Sequence, residues 1–362
     1  MLRSLWITAS LEVAALTLIV FPSTLGIGRE DGTWYVAALK LSRVHQIADG
    51  SGVTVAVIDS GIDWKHPAVA GKVLPGADFS DDEDNSTGEG RTDLSGHGTG
   101  MASLIVGSGA VQGVAPAARV IPIRVAEGRH AASEISATAV ASGIRWAVDH
   151  GANVINVSLG SPISDPREAS ALQYALERGV VVVAAAGNTD QGDRVQYPAS
   201  QEGVIAVCST NSKNEHSPIS VTGPELTVCA PGEGVLRASR NSNTVIGTGT
   251  SDSAAIVSGV AALILQRDLG LRPHDIARRL ILTADDVGAP GRDALYGFGI
   301  VNPLRAVTAQ LSAVSATSEA SAGVKLPNGD RSSHSWYILA AAGTAIALGV
   351  MIIAARRRRI DD

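Results

Sequence analysis

Three short motifs place an acid, a base and a nucleophile in the order Asp, His, Ser along a chain of 362 residues. The first, Val55-Ala56-Val57-Ile58-Asp59-Ser60-Gly61, ends an apolar β-branched run in a carboxylate and a turn glycine. In the second, Ser95-Gly96-His97-Gly98-Thr99-Gly100, glycines flank a histidine and leave its ring open to a cleft, and the chain continues as a helix through Leu104. The third, Gly247-Thr248-Gly249-Thr250-Ser251, carries a serine from a glycine-rich loop to the start of a helical run through Ala254, Ala255, Val257 and Val260. Backbone N–H groups at such a helix start have no intrahelical partner. Each motif alone has a plainer reading: a strand-ending carboxylate, a satisfied histidine, an N-cap serine. Together they meet the needs of nucleophilic acyl transfer. Serine is a poor nucleophile until an imidazole takes its proton, and the imidazole needs a carboxylate to fix its tautomer. A fourth piece, residues 181–186 leading into Gly187-Asn188, supplies an amide that can donate to an oxyanion beside the Ser251 N–H.

The elements that must hold these residues are legible as alternating short strands and helices. Residues 53–58, 120–124, 154–157, 180–185 and 204–207 are near-continuous runs rich in Val and Ile, the pattern of parallel strands covered on both faces. Between them, residues 133–149 place Ile135, Ala139, Ile144 and Val148 at helical spacing, and residues 166–178 open on proline and stop at Gly179. The expected fold class is α/β, a doubly wound parallel sheet flanked by helices, with its site at the carboxyl ends of the strands. Residues 55–61 contain no glycine-rich phosphate loop, which argues against a nucleotide site.

Asp59 in AVIDSGID, His97 in SGHGTGMA, Asn188 in VVAAAGN and Ser251 in GTGTSDSA resemble the four signature segments of the subtilisin-like serine proteases. The resemblance runs from about residue 53 to 303 and implies a serine endopeptidase of protein or peptide substrates that requires no cofactor. It implies that Ser158, Leu159 and Gly160 pair with substrate backbone. By the same analogy, residues 184–187 (Ala185, Ala186 and Gly187 among them) and Gln196 line the pocket for the residue before the scissile bond. Two positions depart from the pattern. Ala255 stands where the family usually has proline, and Asp252 follows the serine directly, where it is expected to disfavour acidic substrates or to shift the pKa of His97. A narrower resemblance is to the mycosins, membrane-anchored subtilases of actinobacterial type VII secretion systems. It rests on Asp31-Gly32-Thr33-Trp34, a single C-terminal span, a basic tail, and only ~24 residues between Gly28 and the first strand, too few for a folded pro-domain. The alternative is a subunit of a secretion complex that keeps the protease fold and works mainly through contacts.

Bulk properties agree with an exported globular domain. The chain is 45% hydrophobic and 18% charged, with net charge −6 and no basic stripe outside its tail, so nucleic-acid binding has no electrostatic support. Arg3, the apolar run 13–21 and the small residues Thr24, Gly26 and Gly28 read as a signal peptide over 1–28, with an uncleaved anchor as the other reading. An extension over 29–50 precedes a catalytic domain over 51–310 and a Ser/Ala/Gly-rich linker over 311–335. Residues 336–355 then form an expected transmembrane helix, entered through Trp336 and Tyr337 and closed by the four arginines of the 356–362 tail. The positive-inside rule puts that tail in the cytoplasm and the catalytic domain outside the cytoplasmic membrane. Cys208 and Cys229 end the short apolar runs 204–208 and 226–229, which could be neighbouring strands, and are expected to form a disulfide in an exported chain, with two buried thiols as the alternative. The acidic run 81–85 could bind calcium but reads better as a solvated charge cluster, and no metal site is assigned.

Overall fold

The computed structural model describes residues 31–81, 86–126 and 135–310. The elements follow in chain order: α1 (Trp34–Ala38), α2 (Leu41–Val44), β1 (Thr54–Asp59), β2 (Ala77–Asp78), α3 (His97–Val106), β3 (Arg119–Arg124), α4 (Ala137–Asp149) and β4 (Val154–Val157). They continue as α5 (Pro166–Glu177), β5 (Val181–Ala185), β6 (Ile205–Thr210), β7 (Val228–Pro231), β8 (Glu233–Ala238), β9 (Thr244–Thr248), α6 (Thr250–Arg267), α7 (Pro273–Thr283) and α8 (Pro303–Thr308).

Seven strands form one parallel sheet in the order β2-β3-β1-β4-β5-β6-β7, and β8 and β9 pair as a separate antiparallel hairpin. The sheet is covered on both faces, so its strands bury nearly every residue and read as continuous apolar runs. Alternation along β1 divides the core in two. Val55 and Val57 join the layer that holds α3 and α6, while Ala56 and Ile58 join the layer that holds α4 and α5. The central helix, α6, is buried from Asp252 to Leu265. Apart from Asp252, Ser253 and Ser258 it is apolar around its whole circumference, as a helix buried on every side must be. Its small residues permit close packing: a Cβ on Gly259 would lie 2.6 Å from that of Val114.

The chain moves from β1 outward to β2 and β3, then returns to β4 on the other side of β1. Such a reversal opens a crevice at the carboxyl ends of the strands. Asp59 ends β1, Ser158 follows β4, and Asn188 lies just beyond β5. The expected parallel sheet is present, with β7 on the apolar run that ends at Cys229 and with β2, β8 and β9 beyond the strands read from apolar runs. Strand β2 has only two residues, too short to leave a period. The helix expected from residue 133 begins at Ala137, because the Ser136 side chain accepts from the Thr138 N–H as its N-cap.

Residues expected to form an extension before the domain are part of its core: Tyr35, Leu41 and Val44 are buried with the α3/α6 layer. Cys208 and Cys229 face each other across β6 and β7 and are joined as a disulfide. No helix among the described residues is long and apolar enough to cross a membrane. The expected signal peptide (1–28), linker (311–335), transmembrane helix (336–355) and basic tail lie outside the described residues, as does most of the acidic run 81–85. Among the described residues no group of three His, Cys, Asp or Glu side chains could hold a metal ion.

Candidate active site

A cleft of about 340 Å³ lies over the carboxyl ends of β1, β4 and β5. Asp59, His97, Asn188 and Ser251 line it together with Ser158, Leu159, Gly160, Ala185, Gly187 and Gln196. Ala186 does not. Side chains alternate along β5 and its exit, so Ala185 faces the cleft layer while Ala186 is buried in the opposite core. Its carbonyl still serves the wall by accepting from the Gln196 N–H at 2.8 Å.

His97 opens α3 with its ring about one third exposed. Its Nδ1 sits 2.8 Å from Asp59 Oδ1 and 2.9 Å from Oδ2, so the carboxylate clamps one ring nitrogen and leaves Nε2 to the cleft. Burial works against a charged imidazole, but the charge and hydrogen bond of Asp59 outweigh it and raise the His97 pKa above its ordinary value. The loop around this pair is tightly built. Gly96 turns through φ 85°, and a Cβ on Gly98 would collide with the Gly61 carbonyl, which is why glycines flank this histidine.

Asp93, which the motifs do not point out, organises that loop. Its carboxylate accepts from the N–H groups of Ser95, Gly96 and Thr99 and from the Thr99 hydroxyl, and so satisfies the start of α3. The Ser60 hydroxyl lies 3.1 Å from Asp59 Oδ1 and 2.9 Å from Asp93 Oδ1, between the two carboxylates. An acid four residues before the histidine was the signal available in sequence.

Ser251 lies in the first turn of α6, and its hydroxyl donates to the Ser158 carbonyl at 3.2 Å. Beneath it runs a buried polar chain. Ser258 donates to Asn156 Oδ1, and Asn156 Nδ2 donates to Ser158 Oγ. Asn188 Oδ1 accepts from the Thr250 N–H at 3.1 Å. A backbone N–H can only donate, so this contact fixes the amide orientation and leaves Nδ2 as the free donor. Gln196 fills the space between two walls of the cleft. A Cβ on Gly160 would lie 2.5 Å from its Oε1, and one on Gly187 would lie 2.7 Å from its Cγ.

The Subtilase family matches residues 50–299, a span that contains the sheet and every cleft residue above. The chain belongs to this family. As a subtilase it is a serine-type endopeptidase, and its relatives agree. It is 36% identical to thermitase of Thermoactinomyces vulgaris over 74% of this chain and 93% of that one. It is 33% identical to mycosin-1 of Mycobacterium tuberculosis over 94% of this chain and 88% of that one. A solved MycP1 lacking its N-terminal propeptide superposes with TM-score 0.67 at 30% identity, over 77% of this chain and 97% of that one. A MycP3 protease from the type VII (ESX-3) secretion system gives 0.65 at 32% identity, over 78% of this chain and 90% of that one. This subtilase is thus related to the mycosins over both its sequence and its fold.

Proposed function

We propose that this subtilase is an exported endopeptidase, anchored by one C-terminal span, that hydrolyses proteins through a Ser251 acyl-enzyme in a type VII secretion setting. Ser251 Oγ attacks the scissile carbonyl carbon as His97 Nε2 takes its proton. To do so the hydroxyl must leave the Ser158 carbonyl and turn to His97 in the same cleft. Asp59 keeps the proton on Nδ1 and stabilises the imidazolium that forms. Asn188 Nδ2 and the Ser251 N–H donate to the oxyanion. The imidazolium then protonates the leaving amine, the C–N bond breaks, and an ester to Ser251 remains. Water, deprotonated by His97, hydrolyses that ester, releases the new carboxyl end and restores the serine.

The observation that carries this reading is the double contact of the Asp59 carboxylate with His97 Nδ1 in the same cleft as Ser251. Ser158 to Gly160 run along one wall, where substrate backbone pairs, and Gln196 floors the adjoining pocket, which therefore takes short, uncharged side chains. The anchor is supported by the uncharged run 337–355 ahead of four arginines. Kinship to the mycosins supports the secretion setting.

A fluorophosphonate probe should label the chain, and Ser251→Ala should reduce labelling to background. Labelling that survives in that variant would overturn the assignment of the nucleophile. A structurally related serine protease, MycP1, is an essential component of the type VII (ESX-1) secretion system. If secretion persists with Ser251→Ala but fails on deletion of this chain, the structural role operates beside catalysis.

A further inference from the structure

Asp252 is a buried acid beside the nucleophile that the acyl-enzyme steps leave unused. It follows Ser251 in the first turn of α6 and is 1% exposed, so it cannot meet an acidic substrate in the cleft. Its Oδ1 lies 3.0 Å from Nε of Arg237, which reaches over from β8. The path of that guanidinium is narrow. A Cβ on Gly247 of β9 would collide with Arg237 Nε, and a Cβ on Gly100 of α3 would lie 2.6 Å from Nη1. Arg237 therefore threads between the hairpin and the histidine helix to end under the nucleophile. Neither Arg237 Nε nor Asp252 Oδ1 completes a well-directed hydrogen bond, so charge and packing hold the pair. A buried pair of this kind adds little stability over apolar residues of similar volume, because desolvation offsets the attraction. Its place beside Ser251 and His97 is better explained by what it does to the reaction.

We propose that Arg237 and Asp252 act as one positioning unit, which docks α6 to α3 through the β8–β9 hairpin and balances the charge around His97. The inference rests on the acyl-enzyme reading above. The charged groups around His97 are Asp59 at the end of β1, Asp93 in the loop before α3, Arg237 from β8 and Asp252 from α6. Tyr35 of α1 is close enough to feel the charge of Asp252. Burial disfavours the imidazolium, Asp59 and Asp252 favour it, and Arg237 opposes it. Burial raises the Asp252 carboxyl above its ordinary value while the Arg237 cation beside it pulls the other way, and the carboxylate so held offsets part of the effect by which Arg237 would weaken the base.

The test follows the rate of fluorophosphonate labelling against pH in the full chain, with inactivation rate and probe affinity separated. Asp252→Asn keeps the shape and leaves Arg237, which cannot lose its proton, unopposed. The acid limb should move down by about half a pH unit or more, and the maximal rate should fall severalfold with little change in affinity. Adding Arg237→Gln to that variant should return the limb towards the parent. Gly247→Ala changes no charge but displaces Arg237, and should lower the maximal rate in the same way. An unmoved limb in Asp252→Asn, a double variant shifted as far as the single one, or an unchanged rate in Gly247→Ala would each overturn the proposal. Should Asp252→Asn fail to fold, the Gly247→Ala rate decides. Ser251→Ala run in parallel separates the two readings. Labelling that does not depend on Ser251 removes the acyl-enzyme reading, whereas Ser251-dependent labelling with an unmoved limb removes only the positioning unit.

Discussion

At the scale of single residues, this cleft is defined by where side chains are absent as much as by where they are present. Gly160 and Gly187 leave room for Gln196, whose side chain lies against both and lines the cleft. Gln196 Oε1 is buried without a hydrogen-bond partner, a position unfavourable for a polar atom. Removing that side chain should both relieve the orphaned acceptor and open the pocket. Gln196→Gly is expected to raise kcat/KM for peptides with Leu or Phe before the scissile bond by about tenfold or more, in keeping with the value of burying such a side chain. Peptides with Ala at that position should change little. A parallel loss for all peptides would mean that Gln196 shapes the cleft as a whole and does not set its depth.

At the scale of elements, helix starts present two of the candidate catalytic groups to the cleft. Asp93 accepts from N–H groups at the start of α3, the helix that His97 opens, while the first turn of α6 presents Ser251. Helix α5 shows the cost of burying a charge at such a start. Glu168 in its first turn is buried, and burial, aided by the charge of Asp165, pushes its carboxyl up from 4.5 to about 7. Its Oε1 has no hydrogen-bond partner. The folded state therefore holds a proton that the unfolded chain releases near 4.5. Stability is full below that pH, falls as pH rises towards 7, and stays lower above it. Glu168→Gln should match the parent below about pH 4.5 and exceed it at pH 8 by up to about 3 kcal/mol. Denaturant unfolding at pH 4.5 and pH 8 checks this, and a gap independent of pH would contradict it.

At the scale of the whole molecule, the short helices α1 and α2 belong to the domain. Trp34 Nε1 donates to the carbonyls of Glu233 and Gly234, so the segment before β1 is stitched to the start of the β8–β9 hairpin. The same hairpin carries Arg237 towards Asp252. At the other end, α8 packs on α6 and α7, and Ala306 and Val307 join the core. Among the described residues the last packed helix ends at Thr308, well before the uncharged run at 337–355. Truncation after residue 310 is expected to keep Ser251-dependent labelling and to move the labelled chain from the membrane fraction to the medium. Retention in the membrane would show that residues 336–355 are not the anchor.

The sequence by itself determined which groups stand out as candidates for chemistry, their order along the chain, and the parallel sheet that brings them to one cleft. Asp59, His97, Asn188 and Ser251 each sit in a local pattern of glycines and apolar runs, and buried parallel strands leave a continuous apolar signal. The pairing of Cys208 with Cys229 was open to two readings until β6 and β7 placed them in register. Tertiary structure alone decided the rest. Arg237 meets Asp252, Gln196 meets Gly160, and Ala186 turns away from a cleft that Ala185 faces. These relations join side chains from different elements or depend on which face of a strand is turned to the cleft. No period or motif in one stretch of chain encodes them, because the loops and packing that bring the elements together set the distances.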